Sequence, residues 1–285
     1  MPLALLISSH VAASTVGGGA SGFVLNAAGI APMLVPTVLY GRHPGWGEPG
    51  GGAVGPEMFR SVIDGIVAHG AFEHTDLVLT GYFADPGQVF MAAAAIDQVR
   101  KRAAGDDAAT AGLPRPWVVV DPVMGDAPGG LYVASAIANA IRDQLLPRAD
   151  LATPNAFELG HLTGRTLTDL ASMLRAARSL DCPALISSLP RHGRIGVAYV
   201  DGDEAWMVTH DRCEQAPKGT GDILAAAFAA ARLNGAGARS ALETSVAATV
   251  SLVMRANEAG CAELPLAAAA GLLHQPLISL EAEAL

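Results

Sequence analysis

Short apolar runs alternate with amphipathic or alanine-rich stretches along most of this chain, and that alternation restricts the fold more than any single motif does. Leu3 to Ser8, Met33 to Val38, Asp76 to Thr80, Trp117 to Val120, Leu151 to Thr153 and Ala184 to Ser188 are each bounded by turn residues. Continuous apolar runs of this length suit strands buried on both faces, as in parallel sheets. Between them, Ser21 to Ala28, Pro56 to His69, Pro86 to Arg102, Leu131 to Gln144 and Leu167 to Ser179 read as helices. Parallel neighbours need a crossover connection, and the crossover helix packs back onto the sheet. The spacing therefore predicts an α/β fold with a central, mostly parallel sheet covered by helices. No linker-like composition break or strict repeat divides residues 1–285, so one domain is expected.

Two segments depart from the alternation. Ile195 to Val200 and Ala205 to Thr209 flank Asp201-Gly202-Asp203-Glu204, which reads as an antiparallel hairpin at a sheet edge. Tyr40 to Gly55 is dense in Gly and Pro and reads as a loop, in effect a flap over a site. After Gly219 the pattern is helical, over Asp222 to Leu233, Arg239 to Ala256 and Pro265 to Leu273.

Composition excludes several classes of function. Hydrophobic residues make up 51% and charged residues 16%, which is ample for a large core and rules out global disorder. A net charge of -9, with no basic run longer than Arg100-Lys101-Arg102, disfavours nucleic acid and anionic membrane surfaces as partners. Cys182, Cys213 and Cys261 are scattered and odd in number, as expected of reduced thiols in the cytosol. The first apolar run has no preceding Lys or Arg and is broken at Ser8, Ser9 and His10, unlike a signal peptide.

Several motifs fall just after the expected strands, the edge at which α/β sheets bind ligands. Ser9-His10 follows the first strand, and Tyr82 follows Thr80-Gly81. Asp121-Pro122-Val123-Met124-Gly125-Asp126 places two carboxylates where they can hold a cation, or serve as turn formers. Thr153-Pro154-Asn155-Ala156-Phe157-Glu158 can present polar groups or form a capping box. Lys218-Gly219-Thr220-Gly221-Asp222 opens a helix whose free N–H groups suit an anion. There Asp222 either caps the helix dipole or takes a proton beside a phosphoryl group. In the flap, His43, Trp46 and Glu48 could close over an aromatic ligand. Gly17-Gly18-Gly19-Ala20-Ser21-Gly22 matches G-x-G-x-x-G, but no acidic residue lies between Gly22 and Arg42, so a close-packed glycine turn fits better than a dinucleotide site. No zinc site is expected.

In order and approximate spacing, Ser9-His10-Val11, Thr80-Gly81-Tyr82, Asp121 to Asp126, Thr153 to Glu158 and Gly219-Thr220-Gly221-Asp222 resemble the pyridoxal kinase family of ribokinase-like kinases. The resemblance runs from Leu3 to about Ala256 and implies a ribokinase-like three-layer α/β/α sandwich. It implies ATP-dependent phosphorylation of the 5′-hydroxyl of pyridoxal, pyridoxine or pyridoxamine, as in vitamin B6 salvage. Asp222 would be the base, with the amides of Gly219, Thr220 and Gly221 as the anion hole. Ser9, His43, Trp46 and Tyr82 would contact the vitamer, and Asn155, Ser187, Lys218, Gly219 and Gly221 would meet ATP. Asp121, Asp126, Thr153 and Glu158 would lie around Mg2+, with a monovalent cation such as K+ nearby. A cytoplasmic homodimer is the expected assembly. The flap, Gly41-Arg42-His43-Pro44-Gly45-Trp46, differs from the Asn-His-Thr-Gly-Tyr usual in that family. Hydroxymethylpyrimidine kinases are similar in fold but differ at the Asp222 position and lack Ser-His at the first strand. A hydroxymethylpyrimidine kinase and a non-catalytic binding relative are the alternatives.

Overall fold

A computed structural model describes residues 1–103, 115–191, 193–213 and 215–285. In chain order the elements are β1 (Leu3–Val11), α1 (Gly17–Ala27), β2 (Ala31–Tyr40), β3 (Gly51–Ala53), α2 (Pro56–Ala68), β4 (Leu77–Thr80) and α3 (Pro86–Ala103). They continue with β5 (Trp117–Val120), β6 (Gly125–Asp126), β7 (Gly130–Leu131), α4 (Ser135–Ala140), β8 (Leu151–Ala152), α5 (Ala156–Thr163) and α6 (Leu170–Ala177). Last come β9 (Ala184–Arg191), β10 (Arg194–Asp201), β11 (Glu204–Asp211), α7 (Thr220–Leu233), α8 (Ala238–Glu258) and β12 (Glu283–Ala284).

Ten strands form one sheet in the order β12-β11-β10-β9-β8-β5-β4-β1-β2-β3, and β6 and β7 make a separate antiparallel ribbon. The six strands from β9 to β2 are parallel to their neighbours. The hairpin of β10 and β11 extends one side antiparallel, and β3 closes the other. Pro32 and Pro36 lie in β2, and β3 covers only Val38–Tyr40, so both prolines fall where β2 has no outer neighbour.

Alternate residues of the central strands feed two hydrophobic layers. Ala4 and Leu6 of β1 and Val119 of β5 pack with α1, α7 and α8 on one face. Leu5 and Ile7 of β1, with Val118 and Val120, pack with α2, α3 and α4 on the other. That second face continues over β9 and β10, where α5 and α6 cover Ala184 and Ile186. The result is the three-layer α/β/α sandwich. Burial of each large aliphatic or aromatic side chain in these layers stabilises by roughly 1.5–3 kcal/mol. Phe228 of α7 is fully buried and stacks on Tyr199 of β10 at 5.6 Å between ring centroids.

The structure differs from the sequence reading at several boundaries. Helix α1 begins at Gly17 rather than Ser21, because the three glycines form its first turn against β1. A Cβ on Gly18 would stand 3.0 Å from the Ser9 carbonyl oxygen, so small size outweighs glycine's weak helix propensity. Within the expected flap loop, Gly51–Ala53 forms a strand on Val38–Tyr40, and Pro44–Trp46 makes a single 3-10 turn. Leu131 pairs with Gly125, so the helix after it starts only at Ser135. Of residues 265–273, only Ala270–Leu273 is a helical turn. Leu264, Leu266 and Ala269 anchor that segment in the core without a continuous helix. Among the described residues, no helix is long and apolar enough to cross a membrane.

Phe228→Ala should lower unfolding free energy by about 3–5 kcal/mol in urea titration, because it leaves a cavity between α7 and the sheet. Phe90→Ala, at a position 53% exposed, should change it by less than about 0.5 kcal/mol. Equal effects would contradict the layer assignment.

Candidate active site

β1, β4, β5 and β8 all end at one edge of the sheet, and the loops that follow them carry the polar groups singled out in the sequence. A register shift between Ser8 and His10 marks a bulge in β1. There Ser9 is buried and packs against Gly17, while His10 is exposed. Gly17 has φ 57°, and a Cβ at that position would clash with Ser9, so only glycine fits.

The N-terminus of α1 meets that of α7 at this point. Gly17 N–H donates to Asp222 Oδ2 at 2.8 Å, and Ser21 Oγ donates to the Asp222 carbonyl at 3.3 Å. Asp222 stands in the first turn of α7, which is entered through Gly219 at φ 93°. A Cβ on Gly219 would stand 2.6 Å from the Thr15 carbonyl oxygen, whereas Gly221 faces open space. The first-turn N–H groups of α7, at Thr220 and Gly221, have no acceptor inside the helix. Burial raises the Asp222 carboxyl to about 6, and the Gly17 N–H and the carboxylate's own backbone N–H hold back a larger rise.

A second group of carboxylates lies after β5 and β8. Asp121 accepts a 2.8 Å bond from Thr153 Oγ1. Burial pushes the Asp121 carboxyl well above the usual range, and Glu158 and Asp222 push it further. Glu158 Oε1 accepts from Met124 N–H at 3.0 Å and Gly125 N–H at 3.4 Å, and Oε2 accepts from Asn155 N–H at 2.9 Å. Burial nevertheless lifts Glu158 to about 7, against those three backbone bonds.

Asn155 Oδ1 accepts from Glu158 N–H at 2.9 Å, so the capping box is formed, and Asn155 Nδ2 donates to the Gly125 carbonyl at 2.8 Å. The two residues thus bind the 121–126 loop to the start of α5. Ser187 of β9 bridges to Asn155, and Ser187 N–H donates to the Pro154 carbonyl at 3.0 Å. Lys218 Nζ lies 3.8 Å from Asp126 Oδ2, linking the acidic loop to the turn that opens α7.

The remaining expected residues lie in the loop after β4 and in the flap. Tyr82 is half-buried, and partial burial and the nearby Tyr40 phenol hold its own phenol above the ordinary value. His43 accepts from Gly45 N–H at 2.9 Å through Nδ1. Its imidazole is held below the usual value by partial burial and by Lys218, with Glu263 opposing. Trp46 Nε1 donates to Glu263 Oε1 at 3.0 Å.

Three residues of this region carry no local signal in the sequence. Buried Gln88 donates to the carbonyls of Thr37 and Val54 at 2.8 and 2.9 Å and accepts from Ala84 N–H at 3.1 Å, tying the Tyr82 loop to the base of the flap. The phenol of Tyr132 is held above its ordinary value by partial burial and by Glu158, Asp121, Asp126 and Asp222. Glu263 is the third. A longer-range reading of which loops the sheet order brings together would have been needed to find them.

Cation binding fits the donor set only in part. Among the described residues, no three His, Cys, Asp or Glu side chains converge as a complete ligand set. Asp121 and Glu158 are nevertheless oxygen donors crowded enough to resist ionisation, as suits a hard cation that takes its other ligands from phosphate and water.

A family model described as phosphomethylpyrimidine kinase matches residues 106–266. A protein named pyridoxal kinase PdxY from Leifsonia xyli subsp. xyli is 36% identical over 92% of this chain and 92% of its own. A pyridoxine/pyridoxal/pyridoxamine kinase from Bordetella avium is 33% identical over 90% of this chain and 86% of its own. Among solved structures, pyridoxal kinase from Leishmania donovani in complex with ADP and pyridoxamine superposes with a TM-score of 0.91 at 26% identity over 100% of both chains. With whole-length relatives of that kind, and with Asp222 held at the Gly-Thr-Gly turn, this chain belongs to the pyridoxal kinase family.

Proposed function

We propose that this chain transfers the γ-phosphoryl group of ATP to the 5′-hydroxyl of pyridoxal, and of pyridoxine or pyridoxamine, giving the 5′-phosphate ester. The observation that carries the reading is the Asp222 carboxylate, fixed by Gly17 N–H at 2.8 Å beside the open first turn of α7. Relatives named for all three vitamers, and a neighbour solved with ADP and pyridoxamine, support the substrate class.

In this mechanism the 5′-hydroxyl attacks the γ-phosphorus, the new O–P bond forms as the bond to the bridging oxygen of ADP breaks, and Asp222 takes the hydroxyl proton. A carboxyl raised to about 6 is ionised at neutral pH yet basic enough to accept that proton. The amides of Gly219, Thr220 and Gly221, with the positive end of the α7 dipole, face the charge that develops on the transferring group. Lys218 and Ser187 support the nucleotide side, and Asn155 acts there by holding the Gly125 loop in place. Ser9, Tyr82, His43 and Trp46 form the vitamer side.

Mg2+ would be held by Asp121 and Glu158, with Asp126 and Thr153 close by, and would offset charge on the phosphates. A monovalent cation such as K+ suits the same oxygen-rich wall. The family resemblance supports a homodimer, and the three free cysteines suit a reducing compartment such as the cytosol.

Asp222→Asn should lower kcat for pyridoxal by about 10²–10⁴-fold, read as ADP release, while ADP affinity measured by calorimetry stays within about threefold. Unchanged turnover would contradict the base assignment. Because the base works ionised, kcat/KM for pyridoxal should fall about tenfold per pH unit below about 6 and level off above it. A flat profile from pH 5 to 8 would contradict it.

A further inference from the structure

Glu263 lies in the segment that follows α8, far in sequence from every motif of the site, yet its carboxylate joins three parts of the chain. Ser14 Oγ donates to Oε1 and Oε2, both at 2.8 Å, and Thr15 N–H donates to Oε2 at 3.2 Å. The Thr15 hydroxyl is directed to the Leu264 carbonyl at 2.9 Å, which pins the same loop to the same segment. From the flap, Trp46 Nε1 donates to Oε1 at 3.0 Å.

The Trp46 bond is unlike the other bonds of the flap. Arg42 Nε donates to the Glu48 carbonyl, and Gly45 N–H donates to His43, so both remain inside the flap. Among the described residues, Trp46 to Glu263 is the one side-chain hydrogen bond that joins residues 41–49 to the rest of the chain. The loop that shares this carboxylate is a wall of the reaction site. The Thr15 carbonyl packs against Gly219, and two residues later Gly17 N–H holds Asp222.

We infer that Glu263 is a positioning residue for the kinase reaction, fastening the flap tip through Trp46 to the Ser14–Thr15 loop beside the anion hole, so that the vitamer side is closed when its substrate is bound. The inference rests on the proposed function for its kinetic consequence and on geometry alone for the latch. Backbone bonds hold the base of the flap, but Pro44 offers neither a side-chain hydroxyl nor a backbone N–H, so the tip gains from a fixed point outside itself. Three neutral donors on one half-buried carboxylate supply it, since hydrogen bonds to a charged acceptor are the stronger kind.

The test uses the full chain and Glu263→Ala, Glu263→Gln and Trp46→Phe variants. Steady-state kinetics are measured with pyridoxal and ATP, and iodide quenching of tryptophan emission is measured without substrate, with Trp46→Phe defining the Trp46 contribution. Glu263→Ala should raise KM for pyridoxal about tenfold, the size expected for one lost hydrogen bond, with kcat within about threefold and KM for ATP unchanged. Its Trp46 emission should become more accessible to iodide. Trp46→Phe should reproduce the kinetic split, and Glu263→Gln, which keeps an acceptor oxygen, should restore most of both readouts.

Unchanged pyridoxal KM with unchanged quenching would overturn the latch. So would equal rises in both KM values with a lowered Tm, which would mark Glu263 as a packing residue only. If the unaltered chain phosphorylates no B6 vitamer, the proposed function fails, and the quenching comparison still decides whether Glu263 holds the flap.

Discussion

The N–H of Gly17 donating to the carboxylate of Asp222 joins α1 to α7, and much of the site is arranged around that bond. It forms only because Gly17 takes a left-handed φ in contact with Ser9, and because Gly219 does the same beside Thr15. Two helix N-termini then point their unpaired amides toward one carboxylate and the space in front of it. A carboxyl buried there without such donors would rise further and stay protonated, so the amides set how far burial can shift it.

The acidic wall opposite works by the reverse logic. Asp121 and Glu158 are crowded, buried and raised, and Lys218 is paired with Asp126 rather than with either of them. Acidic groups kept close without a protein cation between them are the setting on which the proposed Mg2+ site rests. The capping box of Asn155 and Glu158 serves this wall as well as its helix, because the same two side chains carry the Met124–Gly125 backbone. The capping box that the sequence allows is thus formed, and its side chains also fix the loop on which the proposed cation site rests.

The parallel sheet was legible because its strands are apolar runs with no polar alternation, and residues placed just after them, such as Ser9, Asp121 and Thr153, inherit a common edge from the topology. The Asp222 position was legible because Gly219-Thr220-Gly221 before an alanine-rich run marks a helix start, and Gly219 is where the structure requires a close approach. Gln88 was not, since Asp85-Pro86-Gly87-Gln88 reads as an ordinary helix start and its carbonyl partners lie 51 and 34 residues away. Glu263 bonds Ser14 across 249 residues and falls between the two helices that the sequence reads at Arg239 to Ala256 and Pro265 to Leu273. Strand β3 was hidden for another reason: glycines disfavour strands, and Gly51 fits its place at φ 81° only because it has no side chain to meet the Leu39 carbonyl.

The most direct test of the account is a comparison of kcat/KM for pyridoxal, pyridoxine, pyridoxamine and the hydroxymethyl pyrimidine with Mg2+ and ATP, with the phosphorylated product weighed by mass spectrometry. The expected result is a monophosphate ester on the B6 vitamers, formed in step with ADP and faster than any product from the pyrimidine. Phosphorylation confined to the pyrimidine, or vitamer binding with no ADP formed, would contradict it.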